Sequence, residues 1–216
     1  SRIESIRFND GAVLNLTPIL TGDDALSTIE DEKFIFSNTS LLTNDISLQG
    51  GSLSVTAVSQ SVNGQITNNG NGTYTYTPNV NFNGVDTFTY SVSGIGGASD
   101  TGTVTVDVTP VNDAPVSSSD TVSGTEDVPL TILASDLFAN DVDIDGDTLS
   151  IASVGNALNG VVGLNGNGDV VFTPTANFNG NASFDYTVDD GSGGMSTSTV
   201  TVDVTPVNDA PVSSSD

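Results

Sequence analysis

The residues best placed to do chemistry are Asp141, Asp143, Asp145 and Asp147, four carboxylates at alternate positions, with Gly146 among them and Asp136 just upstream. Crowded in this way they would repel one another unless a cation sat between them. Calcium takes about six to eight oxygens in flexible geometry, which suits such a loop better than the near-octahedral demand of magnesium. Zinc is disfavoured, because the chain has no Cys and no His. An EF-hand also fails. Asp141, Asp143, Asp145 and Gly146 match the start of that loop, but Ala152 stands where its bidentate Glu is required, and the flanks read as strand rather than helix.

The elements that must hold these acids show in a repeat. The 17-residue string VTVDVTPVNDAPVSSSD runs from Val104 to Asp120 and returns unchanged from Val200 to Asp216, an offset of 96 residues. A fixed period ending in the same phrase marks a modular array made by tandem duplication. Val104, Val106 and Val108 alternate with Thr and Asp, the pattern of a half-buried strand. Pro110 and Pro115 then remove two backbone donors and stiffen the exit, with Asn112 and Asp113 between them.

The offset holds without a gap across about Thr21–Val116 and Ser117–Val212. Glu30 pairs with Glu126, Asn44 and Asp45 with Asn140 and Asp141, Pro78 with Pro174, and Tyr90 with Tyr186. Asn-Gly pairs match as well: Asn63 with Asn159, Asn69 with Asn165, Asn71 with Asn167, and Asn83 with Asn179. Asn-Gly suits the left-handed positions of tight hairpins. Between these turns lie about seven short alternating segments per repeat, which predicts an all-β chain of two tandem Greek-key β-sandwich modules. Phe82, Phe88, Tyr90, Phe178, Phe184 and Tyr186 recur with the strand period, so they are assigned to the cores rather than to a sugar-stacking platform. Residues 1–20 stand apart. Ile3, Ile6 and Phe8, then Asn9-Asp10-Gly11, then Val13, Leu14 and Leu16 read as two short strands around a turn. The expected organisation is an N-terminal segment 1–20, a first module 21–112 and a second module 113–216.

Composition narrows the partners. The chain has 27 acidic side chains against three basic ones, Arg2, Arg7 and Lys33, a net charge of −24. With no cation beyond Lys33 to neutralise phosphate, nucleic acid is excluded as a partner, and an anionic membrane surface is disfavoured. Such a charge destabilises a compact state unless counter-ions sit on it, and divalent cations are the natural ones. No run approaches the roughly 20 apolar residues of a membrane span, so membrane insertion is not expected. The absence of Cys removes both disulfides and thiol chemistry. The chain opens at Ser1 without Met or signal peptide and reads as an interior fragment.

Several phrases, in order, carry a family resemblance. Glu126-Asp127, the Asp143–Asp145 pair, Asp190-Gly191 and Val207-Asn208-Asp209-Ala210-Pro211 resemble the calcium motifs of cadherin-like (immunoglobulin-like sandwich) domains. The match is closer to the cadherin-like tandem repeats of large bacterial surface and secreted proteins, including RTX adhesins, and covers nearly all of residues 21–216. The string IESIRFNDGAVLNL in residues 3–16 resembles the segment that closes glycine-rich RTX calcium repeats.

The resemblance implies Ca2+ between adjacent repeats of the chain. Glu30 at the base of the first repeat would face Asn112 and Asp113 in the joint, and Asp143, Asp145 and Asp190 would arrive from the second. Asp147 and Asp127 would be auxiliaries, and Glu126 opens the corresponding motif of the second repeat. Two departures bear on this. Animal cadherins carry an acidic D-R-E element where this chain has Asn81-Phe82-Asn83 and Asn177-Phe178-Asn179, so fewer ions per joint are expected. The first repeat has also lost its loop, with Ser47, Gln49, Gly51 and Gly94 in place of Asp143, Asp145, Asp147 and Asp190.

Three functional classes are open to such a chain. Paired carboxylates can cleave glycosides, but such a pair needs a cleft and an apolar wall, and these acids sit on turns at module ends. An enzyme is not expected. A carbohydrate- or protein-binding sandwich would vary its loops and expose Trp, Tyr or Arg, yet the repeats differ mainly in their acids and Trp is absent. This remains the alternative reading. The leading expectation is a calcium-braced extracellular spacer or adhesion module of a secreted bacterial surface adhesin, serving cell adhesion or biofilm formation.

Overall fold

The computed structural model describes residues 5–7, 9–10, 13–15 and 19–210. The strand and turn positions expected at Ile3, Phe8, Gly11 and Leu16, and the terminal 211–216, therefore lie outside the described residues. The chain divides into two compact units, Ser1–Val111 and Asn112–Asp216.

In the first unit β1 (Ser5–Arg7) and β2 (Val13–Asn15) pair antiparallel, as the spacing of the N-terminal segment predicts. The sandwich is built from β3 (Ile19–Leu20), β4 (Asp24–Ile29), β5 (Phe34–Ser37), β6 (Ile46–Ser47), β7 (Ser54–Val58), β8 (Gly64–Asn68), β9 (Thr73–Pro78), β10 (Gly84–Ser93) and β11 (Ser99–Thr109). One sheet has the order β4-β11-β10-β7, the other β5-β9-β8, and β3 pairs with β6. A single helical turn, α1 (Asn38–Leu41), follows β5. The Ser37 hydroxyl accepts the N–H of Ser40 there, and the Ser40 hydroxyl accepts that of Ser37.

The second unit repeats the plan with β12 (Asp120–Thr125), β13 (Leu130–Ile132), α2 (Ala134–Leu137), β14 (Ser150–Leu158), β15 (Gly160–Leu164), β16 (Val170–Pro174), β17 (Gly180–Asp189) and β18 (Met195–Thr205). Its sheets are β12-β18-β17-β14 and β13-β16-β15. Registers coincide at the sequence offset: Gly84 faces Val108 as Gly180 faces Val204, and Asp24 faces Val104 as Asp120 faces Val200. In both units the first long strand runs parallel to the last.

The alternating valines bury as their period requires. Val104 and Val106 are 0% exposed and Val108 1%, and Val200, Val202 and Val204 follow at 0, 0 and 3%. Each valine side chain taken fully out of water stabilises its unit by about 1.5–3 kcal/mol. Phe88, Tyr90, Phe184 and Tyr186 are buried, and Phe82 and Phe178 pack at the core margins. Phe172 stacks on Phe184 with ring centroids 5.7 Å apart.

The Asn-Gly pairs depart from the sequence expectation at three places. Gly70, Gly72, Gly84, Gly168 and Gly180 have positive φ, but Gly166, Gly64 and Gly160 do not. A Cβ on Gly64 would stand 2.6 Å from the Tyr76 ring, and one on Gly160 2.3 Å from that of Phe172. Close approach of an aromatic face, not turn geometry, requires glycine at both.

Candidate metal centre

In the second unit the chain between α2 and β14 is irregular and is folded by its own acids. Asp143 Oδ1 accepts the N–H groups of Asp145 and Asp147 at 3.0 and 3.1 Å, the side chain closing a turn on its own backbone. Gly146 completes the reversal at φ +79°, a left-handed position costly for other residues. The second oxygen, Asp143 Oδ2, is buried and meets no hydrogen-bond donor. A buried carboxylate oxygen without a partner carries a desolvation cost that a bound cation would remove.

Other oxygen-bearing side chains of the same unit meet in pairs. Asp145 Oδ2 accepts the Asp113 N–H at 2.8 Å, and a carboxylate oxygen of Asp113 lies within 4.8 Å of one of Asp145. Asn112 donates its amide to Asp190 Oδ2 at 2.9 Å. Asp190 is 4% exposed, and its Oδ1 takes N–H bonds from Ser192, Gly193 and Gly194 at 2.7–2.9 Å. The Asn112 amide above all, joined by those backbone donors against the opposing effect of burial, holds this carboxyl below the ordinary range. The Ser192–Gly194 cradle lies outside the expected ligand set. Its sequence signal is the Asp190-Gly191-Ser192-Gly193-Gly194 run, where small residues let the backbone wrap a carboxylate.

Asp141, first of the alternating acids, turns away from the others. Its Oδ1 accepts the Ser118 N–H at 2.8 Å, and the Tyr186 hydroxyl lies 3.1 and 3.2 Å from its two oxygens. Tyr186 also reaches Asp120 Oδ2 at 3.0 Å, so one hydroxyl proton is shared between two carboxylates.

The remaining candidates are Glu30, Glu126 and Asp127. Glu30 belongs to the first unit and is 3% exposed. It accepts the Val111 N–H on Oε1 at 2.6 Å, while the Asn83 amide stands 3.4 Å from Oε2. Glu126 repeats this in the second unit, with Val207 N–H at 2.6 Å and the Asn179 amide at 3.3 Å. The length of β18 separates Glu126 from Asp190, so Glu126 and Asp127 stand apart from the Asp143 loop. Asp127 has φ +63° and accepts the Asn177 N–H at 2.9 Å, the contact of a turn former. In the first unit the loop positions hold Ser47, whose hydroxyl donates to the Gly50 carbonyl at 2.9 Å, with Gln49, Gly51 and Gly94.

The chemistry of this donor set is uniform: carboxylate and amide oxygens, no nitrogen or sulfur ligand, and one orphaned buried oxygen. It fits a hard dication such as Ca2+.

The sequence comparison decides the family. The model of the cadherin-like domain matches residues 14–109 and again 111–205. The chain belongs to the cadherin-like domain family. No curated protein matches it. Among solved structures, the first two cadherin repeats of human mucin-like protocadherin are similar at 17% identity, covering 89% of this chain and 100% of that one, with a TM-score of 0.49. Extracellular domains 1–4 of protocadherin gamma B7 are similar at 18% identity, covering 87% and 50%, with a TM-score of 0.44. An endo-fucoidan hydrolase of glycoside hydrolase family 107 is similar at 17% identity over 88% of this chain, with a TM-score of 0.36, and this chain spans 29% of that one's length. Among the described residues no helix is long and apolar enough to cross a membrane.

Proposed function

We propose that this cadherin-like chain is a non-enzymatic, calcium-binding spacer or adhesion segment of a large extracellular bacterial adhesin of the RTX type. In this reading Ca2+ sits where one repeat meets the next and turns a flexible string into a stiff stalk serving cell adhesion or biofilm formation. The observation that carries it is the buried, donorless Asp143 Oδ2 in a loop whose Asp145 carboxylate accepts the Asp113 N–H.

Asp143, Asp145, Asp113 and Asn112 would supply the second module's share of the ligands. Glu30 would supply the first module's, since it already grips the N–H of Val111, the residue before Asn112. Asp190 would orient Asn112, and Asp147 would be an auxiliary. Glu126 and Asp127 would serve a following repeat in a longer array. The hairpin of β1 and β2, with the RTX-like string around it, would close a preceding calcium-repeat region.

Calorimetric titration with Ca2+ tests the reading, together with X-ray scattering in EGTA and in millimolar Ca2+. The expected result is saturable binding, a narrower spread of interdomain angles and a higher melting temperature with Ca2+, because an ion bound by the folded state alone stabilises it. Replacing both Asp143 and Asp145 by Ala should abolish binding, whereas replacing Ser47 and Gln49 should leave it intact. Equal effects from the two pairs would refute the assignment.

A further inference from the structure

Each module buries a glutamate immediately after its first long strand, β4 or β12, and each treats it alike. Glu30 and Glu126 are both 3% exposed. One oxygen takes a backbone N–H at 2.6 Å, from Val111 or Val207, and the other faces a side-chain amide, from Asn83 at 3.4 Å or Asn179 at 3.3 Å. Two copies with the same partners make this a built feature and not the accident of one loop. A buried carboxylate is costly unless its oxygens find donors. Here both donors come from within the module, and the second is a neutral amide rather than a cation.

We infer that Asn83 and Asn179 are amide clamps that let each module fold around its buried glutamate without calcium, confining the ion's role to the meeting of repeats. The inference rests on the calcium reading only for that second clause; the clamp itself is a property of each module. A carboxylate oxygen has more than one lone pair, so Oε2 can keep its amide donor and still face an arriving ion. A carboxylate at position 83 or 179 would place two negative charges face to face, and the module would then need a cation in order to fold.

The test uses the 216-residue chain carrying Asn83→Asp, Asn179→Asp or Asn83→Ala. In EGTA each Asp variant should melt about 4–8 °C or more below wild type, and Asn83→Ala, which loses a donor without adding charge, should fall less. Millimolar Ca2+ should raise Asn83→Asp by more degrees than it raises wild type. Asp variants that melt with wild type in EGTA, or an Asn83→Asp protein that gains no more from Ca2+ than wild type, would overturn the clamp. Wild type that binds no Ca2+ beside an Asn83→Asp protein that falls in EGTA and recovers with Ca2+ would uphold the clamp and sink the calcium reading. Wild type unfolded in EGTA would overturn the clamp while leaving the calcium reading standing.

Discussion

The Tyr76 hydroxyl donates to Asp86 Oδ2 at 2.8 Å in the core of the first module, at positions the second module fills with Phe172 and Ala182. Asp86 is 2% exposed and also accepts the N–H groups of Asn63 and Thr87. Phe172 and Ala182 are 0 and 1% exposed, so the same architecture tolerates either a polar pair or an apolar one.

Breaking the pair should therefore cost more than replacing it. Asp86→Ala strands a buried hydroxyl and Tyr76→Phe removes a donor from a buried carboxylate, each destabilising by about 1–3 kcal/mol. The double variant Tyr76→Phe with Asp86→Ala should recover much of the sum. A double-mutant cycle by urea denaturation checks this, and simple additivity would show that the two residues are not coupled.

Asp143→Asn separates the two jobs of that side chain. The amide oxygen keeps the turn bonds to Asp145 and Asp147, and the orphaned oxygen becomes a donor. Melting in EGTA should match or exceed wild type, while Ca2+ affinity falls by at least about tenfold as a ligand charge is lost. Asp143→Ala should lose both. Parallel melting and calorimetric titrations distinguish the outcomes.

The acid response of the first module should run against the usual carboxylate trend at Asp24. Burial pushes the Asp24 carboxyl above its ordinary range, the Tyr90 hydroxyl pulls it back, and neighbouring Asp45, with Asp23, adds to the rise. A carboxyl raised in the folded state contributes stability below its unfolded pKa and loses it as pH climbs through the folded value. Asp24→Asn should thus be at least as stable as wild type near about pH 7, with its advantage shrinking as pH falls toward about pH 4. Urea denaturation across that range in EGTA measures it, and a constant gap would contradict the assignment.

Glycine at positions 64 and 160 is set by packing. Gly64→Ala and Gly160→Ala should each destabilise by about 1–3 kcal/mol, because the added methyl meets an aromatic ring and a backbone oxygen, that of Thr77 or Thr173. Pairing either with a smaller side chain at Tyr76 or Phe172 should return part of the loss if ring contact is the cause.

What could be read from the chain divides along physical lines. Val104, Val106 and Val108 declare their strand because a period of two with one apolar face has few other solutions, and the offset of 96 residues transfers every element from one module to the other. Asp86 is hidden from a reading in which acids face water. Yet it shares parity with Phe88, Tyr90 and Val92, all buried, while Val85 is 63% exposed, so strand parity alone would have placed it inside. The alternation of Asp141 to Asp147 was legible as a cluster, but the departure of Asp141 toward Tyr186 depends on a contact 45 residues away that spacing cannot encode. The cradle around Asp190 is also tertiary, since it joins a glycine run to an amide 78 residues earlier.

The parallel pairing of β4 with β11, matched by β12 with β18, decides how a module would answer a pull on the chain. Entry and exit strands lie side by side over six registered positions, from Asp24 against Val104 to Ile29 against Thr109. Tension on the two termini of a module then loads that whole seam in shear, sharing the force among its backbone bonds instead of unzipping them one by one. A tether made of such units is resistant to rupture by virtue of its topology, before any ion is counted.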